Sequence, residues 1–200
     1  MKSERIETFT DGVVAIIITL MVLEMKLPEL RPENATLIIR HIGVYALSFI
    51  SIAIIWLNHH NMFSVIEKVD TKTIWTNLFL LFFMSLIPLP TKSLGEHFLE
   101  RESYVFFGSV MTATSITYSV LQMLISKTLS DVSPENKVRI NRINWVSSVL
   151  YALSIPLSFI SIYISIAIFI LIPAIYFKTK EKKDGMLSVI DALKKKRKKK

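Results

Sequence analysis

Five uncharged stretches divide the chain into blocks, with segments rich in Lys, Arg, Asp and Glu between them. The stretches cover residues 12–23, 41–58, 73–91, 103–126 and 143–177. A helix rises about 1.5 Å per residue and needs roughly 20 residues to span a bilayer, so the second, third and fourth stretches each predict one membrane helix. The pattern therefore predicts an all-α integral membrane protein.

The fifth stretch is too long for one span. It contains Pro156 and Pro173, and a break around 154–158 divides it into two helices if the first begins near 141–145. Six membrane helices result, and five are the alternative.

The distribution of positive charge distinguishes six spans from five. With six spans and a cytoplasmic N-terminus, the cytoplasmic segments hold 19 of the 24 Lys and Arg residues. Five spans would export the basic run at residues 194–200, against the positive-inside tendency. We expect both termini in the cytoplasm of a cell-membrane protein, a six-span channel domain over 1–180 and a basic tail over 181–200. Beside a membrane, such a tail favours anionic lipid over nucleic acid as a partner, and a solvated end is the simpler interpretation.

Composition excludes several classes of protein. Apolar residues make up 52% of the 200 positions, too many for a disordered or ordinary soluble chain. The absence of cysteine excludes disulfides, thiol nucleophiles and cysteine-based metal sites. The serines and histidines form no catalytic motif, so we expect neither an enzyme nor a cofactor.

The first stretch is anomalous because only twelve uncharged residues, about 18 Å of helix, lie between Asp11 and Glu24. The span must include a charge, and both carboxylates are functional candidates unless they only fix packing. At about 100° per residue, one apolar stripe collects Phe9, Gly12, Ile16, Leu20 and Leu23, bordered by Thr19. Asp11 lies on the opposite side. From periodicity alone, the stripe suits lipid, a neighbouring helix or a pore.

Residues 5–24, RIETFTDGVVAIIITLMVLE, resemble the R-x-x-x-F-S-D-G-x-x-A-I-x-x-T-x-L-x-L signature of the transmembrane protein 175 family. That family comprises the endosomal and lysosomal potassium channel of animals and its prokaryotic homologues. Thr10 stands where the family usually has serine. The resemblance continues at Trp56, His59, His60, Asp70, Asn77, Leu78 and residues 88–91. A single six-span unit is similar to the prokaryotic form, which assembles as a homotetramer.

The resemblance implies a potassium channel with an unusual filter, since the chain contains no T-V-G-Y-G segment. It implies that the first helices of four subunits line the pore and that Ile16 forms the narrowest apolar ring, continued by Leu20 and Leu23. An apolar ring does not replace hydration oxygens, so selectivity for K⁺ over Na⁺ should be modest. Thr19 either supplies oxygens near the constriction or bonds back to its own helix.

The resemblance also implies a structural polar network among the first three spans, formed by Arg5, Asp11, Trp56, His59 and Asn77. Inside a bilayer such a network fixes helix register. Neighbouring His59 and His60 diverge by about 100° on a helix, so we expect no metal site there. His41 and His97 lie at the outer ends, where we expect solvated imidazoles.

Two further classes stay open. A secondary transporter would favour a broken helix or an inverted repeat at the bilayer midplane, and the mid-helix breakers are Pro156 and Pro173. A structural membrane protein without a conduction pore has the same hydropathy pattern.

Overall fold

The structure, a computed structural model, describes the backbone over residues 1–128 and 134–181 and the side chains over 1–128 and 142–176. The predicted basic tail lies outside the described residues from 182 onward. Within the described ranges the regular structure is helical, apart from one isolated bridge between Lys2 and Lys68. The helices are α1 (Ser3–Leu23), α2 (Ala35–Phe63), α3 (Thr71–Ser85), α4 (Pro88–Glu96), α5 (Arg101–Thr128), α6 (Pro134–Ser158) and α7 (Ile162–Glu181), with a 3₁₀ turn (Pro32–Asn34) before α2.

The third apolar stretch forms two helices, where the sequence predicts one. α3 ends at Ser85 and α4 begins at Pro88. Because proline lacks an amide hydrogen, the regular helical pattern is interrupted at this point. The amides of Leu86 and Ile87 bond to carbonyls three residues back, at 3.2 and 3.0 Å. Together α3 and α4 still form one path of membrane length, Thr71–Glu96.

The fifth stretch divides later than predicted, at 159–161 and not at 154–158. Pro156 lies inside α6, because one proline removes only one backbone hydrogen bond and the helix continues past it. The helix ends where the amide of Phe159 turns back to the carbonyl of Pro156 at 3.1 Å. α6 also begins earlier than predicted, at Pro134, so its first turns extend beyond the apolar stretch.

Four of the described helical paths are long and apolar enough to cross a membrane: Ser3–Leu23, Pro32–Phe63, Thr71–Glu96 and Arg101–Thr128. α7 contributes a shorter apolar stretch, Ile162–Tyr176. With α3 and α4 counted as one broken helix, the described chain has six helices. The protein is therefore an all-α membrane protein, and the count of six spans stays a prediction.

α5 lies at the centre of the bundle, packed against α3, α4 and α6, whereas α1 lies at the edge against α2, α3 and α4. Tyr104 and Phe107 of α5 pack on Phe169 of α7, with ring centroids 6.4 and 4.8 Å away. Gly108 permits the close approach of α6, because a Cβ there would lie 2.7 Å from the Ser154 hydroxyl oxygen. This central packing supports α2 and α3, which hold α1.

Candidate functional site

α1 has one buried face and one exposed face. The buried face consists of Ser3, Ile6, Thr10, Val14, Ile17 and Met21. The predicted stripe, here called the exposed stripe, is exposed along its whole length at Phe9, Gly12, Ile16, Leu20 and Leu23. Ile16 is 58% exposed and Leu23 is 78% exposed. No described part of the chain covers this apolar surface.

Thr19 borders the exposed stripe, and its hydroxyl bonds to its own helix. Thr19 Oγ1 lies 3.1 Å from the carbonyl oxygen of Ala15 and 2.9 Å from that of Ile16. The single hydroxyl hydrogen is therefore donated to the preceding turn. What Thr19 offers to its surroundings is the lone pairs of its oxygen, which are acceptors or cation ligands.

Two side-chain contacts, one helical turn apart, join α1 to α2. The indole Nε1 of Trp56 donates to Asp11 Oδ1 at 2.8 Å. One turn away, His60 Nδ1 lies 2.6 Å from Glu7 Oε1. Glu7 and His60 were not among the residues expected in the polar network, although Glu7 lies four positions before Asp11 and His60 four positions after Trp56, on the same helix faces. That shared spacing is the signal that would have found them.

A buried contact joins α1, α2 and α3. Asn77 Nδ2 donates to Thr10 Oγ1 at 3.1 Å, and Asn77 Oδ1 lies 2.8 Å from His59 Nε2. Because a carboxamide oxygen only accepts, His59 Nε2 donates and carries the proton. The ring of His59 also stacks on Phe63, with centroids 4.2 Å apart. Thr10 therefore belongs to the network through its hydroxyl, at the position where the family signature has serine.

Arg5 lies outside this network, since its side chain is exposed and makes no hydrogen bond or ion pair with a described residue. Backbone contacts hold this end of α1 instead. Ser3 donates its amide to the Glu67 carbonyl at 3.0 Å and its hydroxyl to the Ile66 carbonyl at 2.5 Å. Sequence reasoning missed this attachment to the α2–α3 loop, because both acceptors are backbone carbonyls, which leave no side-chain pattern.

The opposite end of α1 is tied to α4. Lys92 Nζ lies 2.8 Å from Glu24 Oε2. The hydrogen bond and the charge of Lys92 lower the pKa of Glu24. Both side chains are partly exposed, so this ion pair contributes little to stability on its own. Its main effect is to fix where α1 ends relative to α4.

His41 is buried, which contradicts the expectation of a solvated imidazole. Its Nδ1 lies 2.9 Å from the Leu37 carbonyl oxygen. The ring packs on Gly95, where a Cβ would lie 3.1 Å from a ring carbon, so the missing side chain makes room for it. His97 is exposed, and its Nδ1 lies 2.9 Å from Glu100 Oε1.

The contacts among the described residues hold α1 against α2, α3 and α4. Among the described residues, no three His, Asp or Glu side chains gather where they could hold a metal ion. His59 and His60 have different partners, Asn77 and Glu7. Fold and site together define a multi-pass, all-α membrane protein.

Comparison with known proteins assigns the family. The family described as endosomal/lysosomal potassium channel TMEM175 matches residues 5–88. A potassium channel of Chryseobacterium sp. is 34% identical over 183 residues, covering 88% of this chain and 93% of the relative. A potassium channel of Streptomyces collinus is 32% identical, covering 83% of this chain and 87% of the relative. The chain belongs to the TMEM175 family, which confirms the resemblance found in its first helix.

A solved structure shares the fold. The crystal structure of a lysosomal potassium-selective channel TMEM175 homolog from Chamaesiphon minutus superposes with a TM-score of 0.75 at 27% identity. The superposition covers 88% of this chain and 97% of that one. The likeness therefore extends past α4 into the second half of the chain, where the sequence motifs are sparse.

Proposed function

We propose that this protein is a potassium channel in which α1 from each of four copies lines a central pore. The exposed stripe of α1 carries the proposal, because buried polar contacts hold the helix from its other side and no described residue covers the stripe. Relatives named as potassium channels match this chain over most of its length and support K⁺ as the permeant ion.

The proposed constriction is an apolar neck formed by Ile16, Leu20 and Leu23 of four copies. These positions lie about one turn apart and extend over roughly 10 Å of the pore axis. The neck contains no carboxylate, so it attracts no cation directly. It selects through the free-energy barrier that a hydrated or partly hydrated ion must cross to pass through it. K⁺ holds its water less strongly than Na⁺, so the neck favours K⁺ modestly.

The polar contacts behind α1 act as scaffold in this proposal. Asp11 and Thr10 are held by Trp56 and Asn77 on neighbouring helices. Polar contacts between membrane helices fix the rotation and height of a helix because each group lacks other partners in lipid. The network thereby sets the level at which Ile16 meets its copies.

Flux of K⁺ and Na⁺ into proteoliposomes tests the neck. Ile16→Asn introduces one amide per copy at the narrowest ring, so we expect hydration of the neck, higher K⁺ flux and a severalfold loss of K⁺ preference. Ile170→Asn on α7 is a matched control, because Ile170 is 56% exposed against 58% for Ile16. Under the proposal Ile170 faces lipid, and its substitution leaves the ion ratio unchanged.

Two outcomes contradict the pore. One is an unchanged K⁺ to Na⁺ ratio in a well-folded Ile16→Asn protein, and the other is an equal change from Ile170→Asn. The mass of the same preparations in detergent tests the assembly, where we expect a homotetramer. A conducting monomer would remove the reason to place α1 at a symmetry axis.

We also propose six spans with both termini cytoplasmic, a channel domain over 1–180 and a basic tail over 181–200 next to anionic lipid. The distribution of Lys and Arg supports this orientation. Because the native chain has no cysteine, a single Cys can be placed in the tail and labelled in intact cells. We expect protection from an impermeant reagent until the cells are opened. Labelling of the tail from outside intact cells would contradict this orientation.

A further inference from the structure

A cavity lies away from the exposed stripe, between α2, α5, α6 and α7. It leaves about 30 Å³ for the centres of water-sized molecules. Most of the surface that its walls expose is apolar, although serine, tyrosine and asparagine also line it, and none of the described lining residues is charged. One water needs roughly 10–15 Å³ of such space, so the cavity has room for two.

Tyr118 of α5 lines this cavity and is only 6% exposed. Its hydroxyl makes no hydrogen bond with any described residue, unlike Tyr104, which donates to the Phe98 carbonyl at 2.7 Å, and Tyr176, which donates to Asn144 Oδ1 at 2.6 Å. Buried tyrosine hydroxyls in folded proteins nearly always have a partner. The cavity that Tyr118 lines provides space for such a partner.

Asn58 of α2 lines the same cavity. Its side-chain amide is half-buried and makes no hydrogen bond within the described part of the chain. An amide offers two donors and an oxygen acceptor. The cavity is thus bounded by two helices that each present an unused polar group.

The serines of the wall supply further acceptors. Ser51 Oγ donates to the Leu47 carbonyl at 2.8 Å, and Ser147 Oγ donates to the Ile143 carbonyl at 3.1 Å. Their hydrogens are engaged, but a hydroxyl oxygen has two lone pairs and accepts hydrogen bonds as well. A small molecule that both donates and accepts hydrogen bonds matches this combination.

We propose that this cavity is a binding site for two ordered water molecules that bridge Asn58 on α2 to Tyr118 on α5. A metal cation is disfavoured, because no carboxylate lines the site and a charge at this depth would be unpaired. A lipid chain is disfavoured because it offers no partner for the Tyr118 hydroxyl. The proposal does not depend on where ions cross the protein.

The position of Asn58 on α2 makes this water site structural for the network behind α1. Trp56 bonds to α1 and His59 bonds to α3, on either side of Asn58 in the sequence. Through the waters, the same segment of α2 would bond to α5. Two waters would thereby link the network that holds α1 to the central bundle.

Thermal unfolding in detergent tests the bridge through a double-mutant cycle. Tyr118→Phe and Asn58→Leu each remove polar partners of the waters, so we expect each variant to lower Tm by roughly 2–4 °C. The double variant should lose less than the sum of the two, because the second substitution acts on waters already weakened. Tyr163→Phe is the matched control, since Tyr163 is exposed on α7 and should leave Tm unchanged.

An unchanged or raised Tm in Tyr118→Phe, or additive losses in the double variant, would contradict the proposal. In a cavity without water, Tyr118→Phe removes an unpartnered hydroxyl, so Tm would stay constant or rise, and the two substitutions would be additive. Density maps of the wild-type protein provide the second measurement. We expect two separate peaks within hydrogen-bond distance of Tyr118 and Asn58. Continuous density of an acyl chain, or no density, would overturn the site even if a variant failed to fold.

Discussion

α1 and α5 are both long apolar helices, yet they are stabilised in opposite ways. Twelve of the 28 residues of α5 are buried, and its neighbours lie on several sides. Six of the 21 residues of α1 are buried, all on one face. α5 is completed by its own chain, whereas α1 keeps a stripe that only lipid, a pore or another copy can cover. The difference indicates that α5 is stabilised within the chain itself, while α1 keeps an apolar face free for lipid or for the pore that we propose.

The largest expected effect comes from comparing the substitution of one glycine in α5 with that of one glycine in α1. Gly108→Leu in α5 forces a side chain against α6, where a Cβ alone would lie 2.7 Å from the Ser154 oxygen. We expect a loss of about 3 kcal/mol or more in the free energy of unfolding, because the helices must separate. A Cβ at Gly12 in α1 would meet nothing within 4 Å, so Gly12→Leu should leave the protein folded.

Circular dichroism on heating and detergent stability of the purified proteins measure this pair of variants. Equal losses of stability from both glycine substitutions would show that α1 is packed within the protein as closely as α5. Altered ion flux from Gly12→Leu in a stable protein would sharpen the contrast, because Gly12 lies on the exposed stripe.

A smaller effect is expected from the buried contact that holds α1. Asn77→Leu leaves the His59 Nε2 hydrogen without its acceptor and removes the amide that donates a hydrogen bond to Thr10 Oγ1. We expect destabilisation of roughly 1–3 kcal/mol in thermal or denaturant unfolding. Asn61→Leu on α2 replaces a half-buried amide that bonds to no described side chain, so it should cost clearly less. Equal losses would mean that the contact with Asn77 does not anchor α1.

The smallest effect is expected at the end of α1 that carries Glu24. Lys92→Met removes the ion pair and should lower Tm slightly at pH 7. Because Lys92 lowers the pKa of Glu24 below its ordinary value of 4.5, the stabilisation is present above that value and is lost as pH falls through the lowered pKa. The Tm difference between wild type and variant should therefore vanish in acid and shrink in high salt. A Tm difference that persisted in acid would mean that it comes from packing of the Lys92 hydrocarbon chain and not from the ion pair.

The sequence alone predicted that the membrane spans are helices and that one face of α1 is apolar, because both properties depend on the local order of residues. Uninterrupted apolar stretches form helices in a bilayer, and a period near 3.6 collects Ile16 and Leu20 on one side wherever the helix lies. The same local character explains why the first-helix motif was sufficient to indicate the family. Helix boundaries were less accessible, since Pro88 interrupts the third span whereas Pro156 is accommodated inside α6.

Which polar side chains form hydrogen bonds with one another was decided by the tertiary structure alone. Thr10 and Asn77 are separated by 67 positions, and Asp11 and Trp56 by 45, so their contacts depend on the rotation and height at which helices pack. Those variables also exclude Arg5 from the network. The burial of His41 depends on a glycine of another helix. The sequence by itself thus determined what each helix is and which face is apolar, while packing determined which polar groups meet, because a hydrogen bond requires a distance that no local pattern encodes.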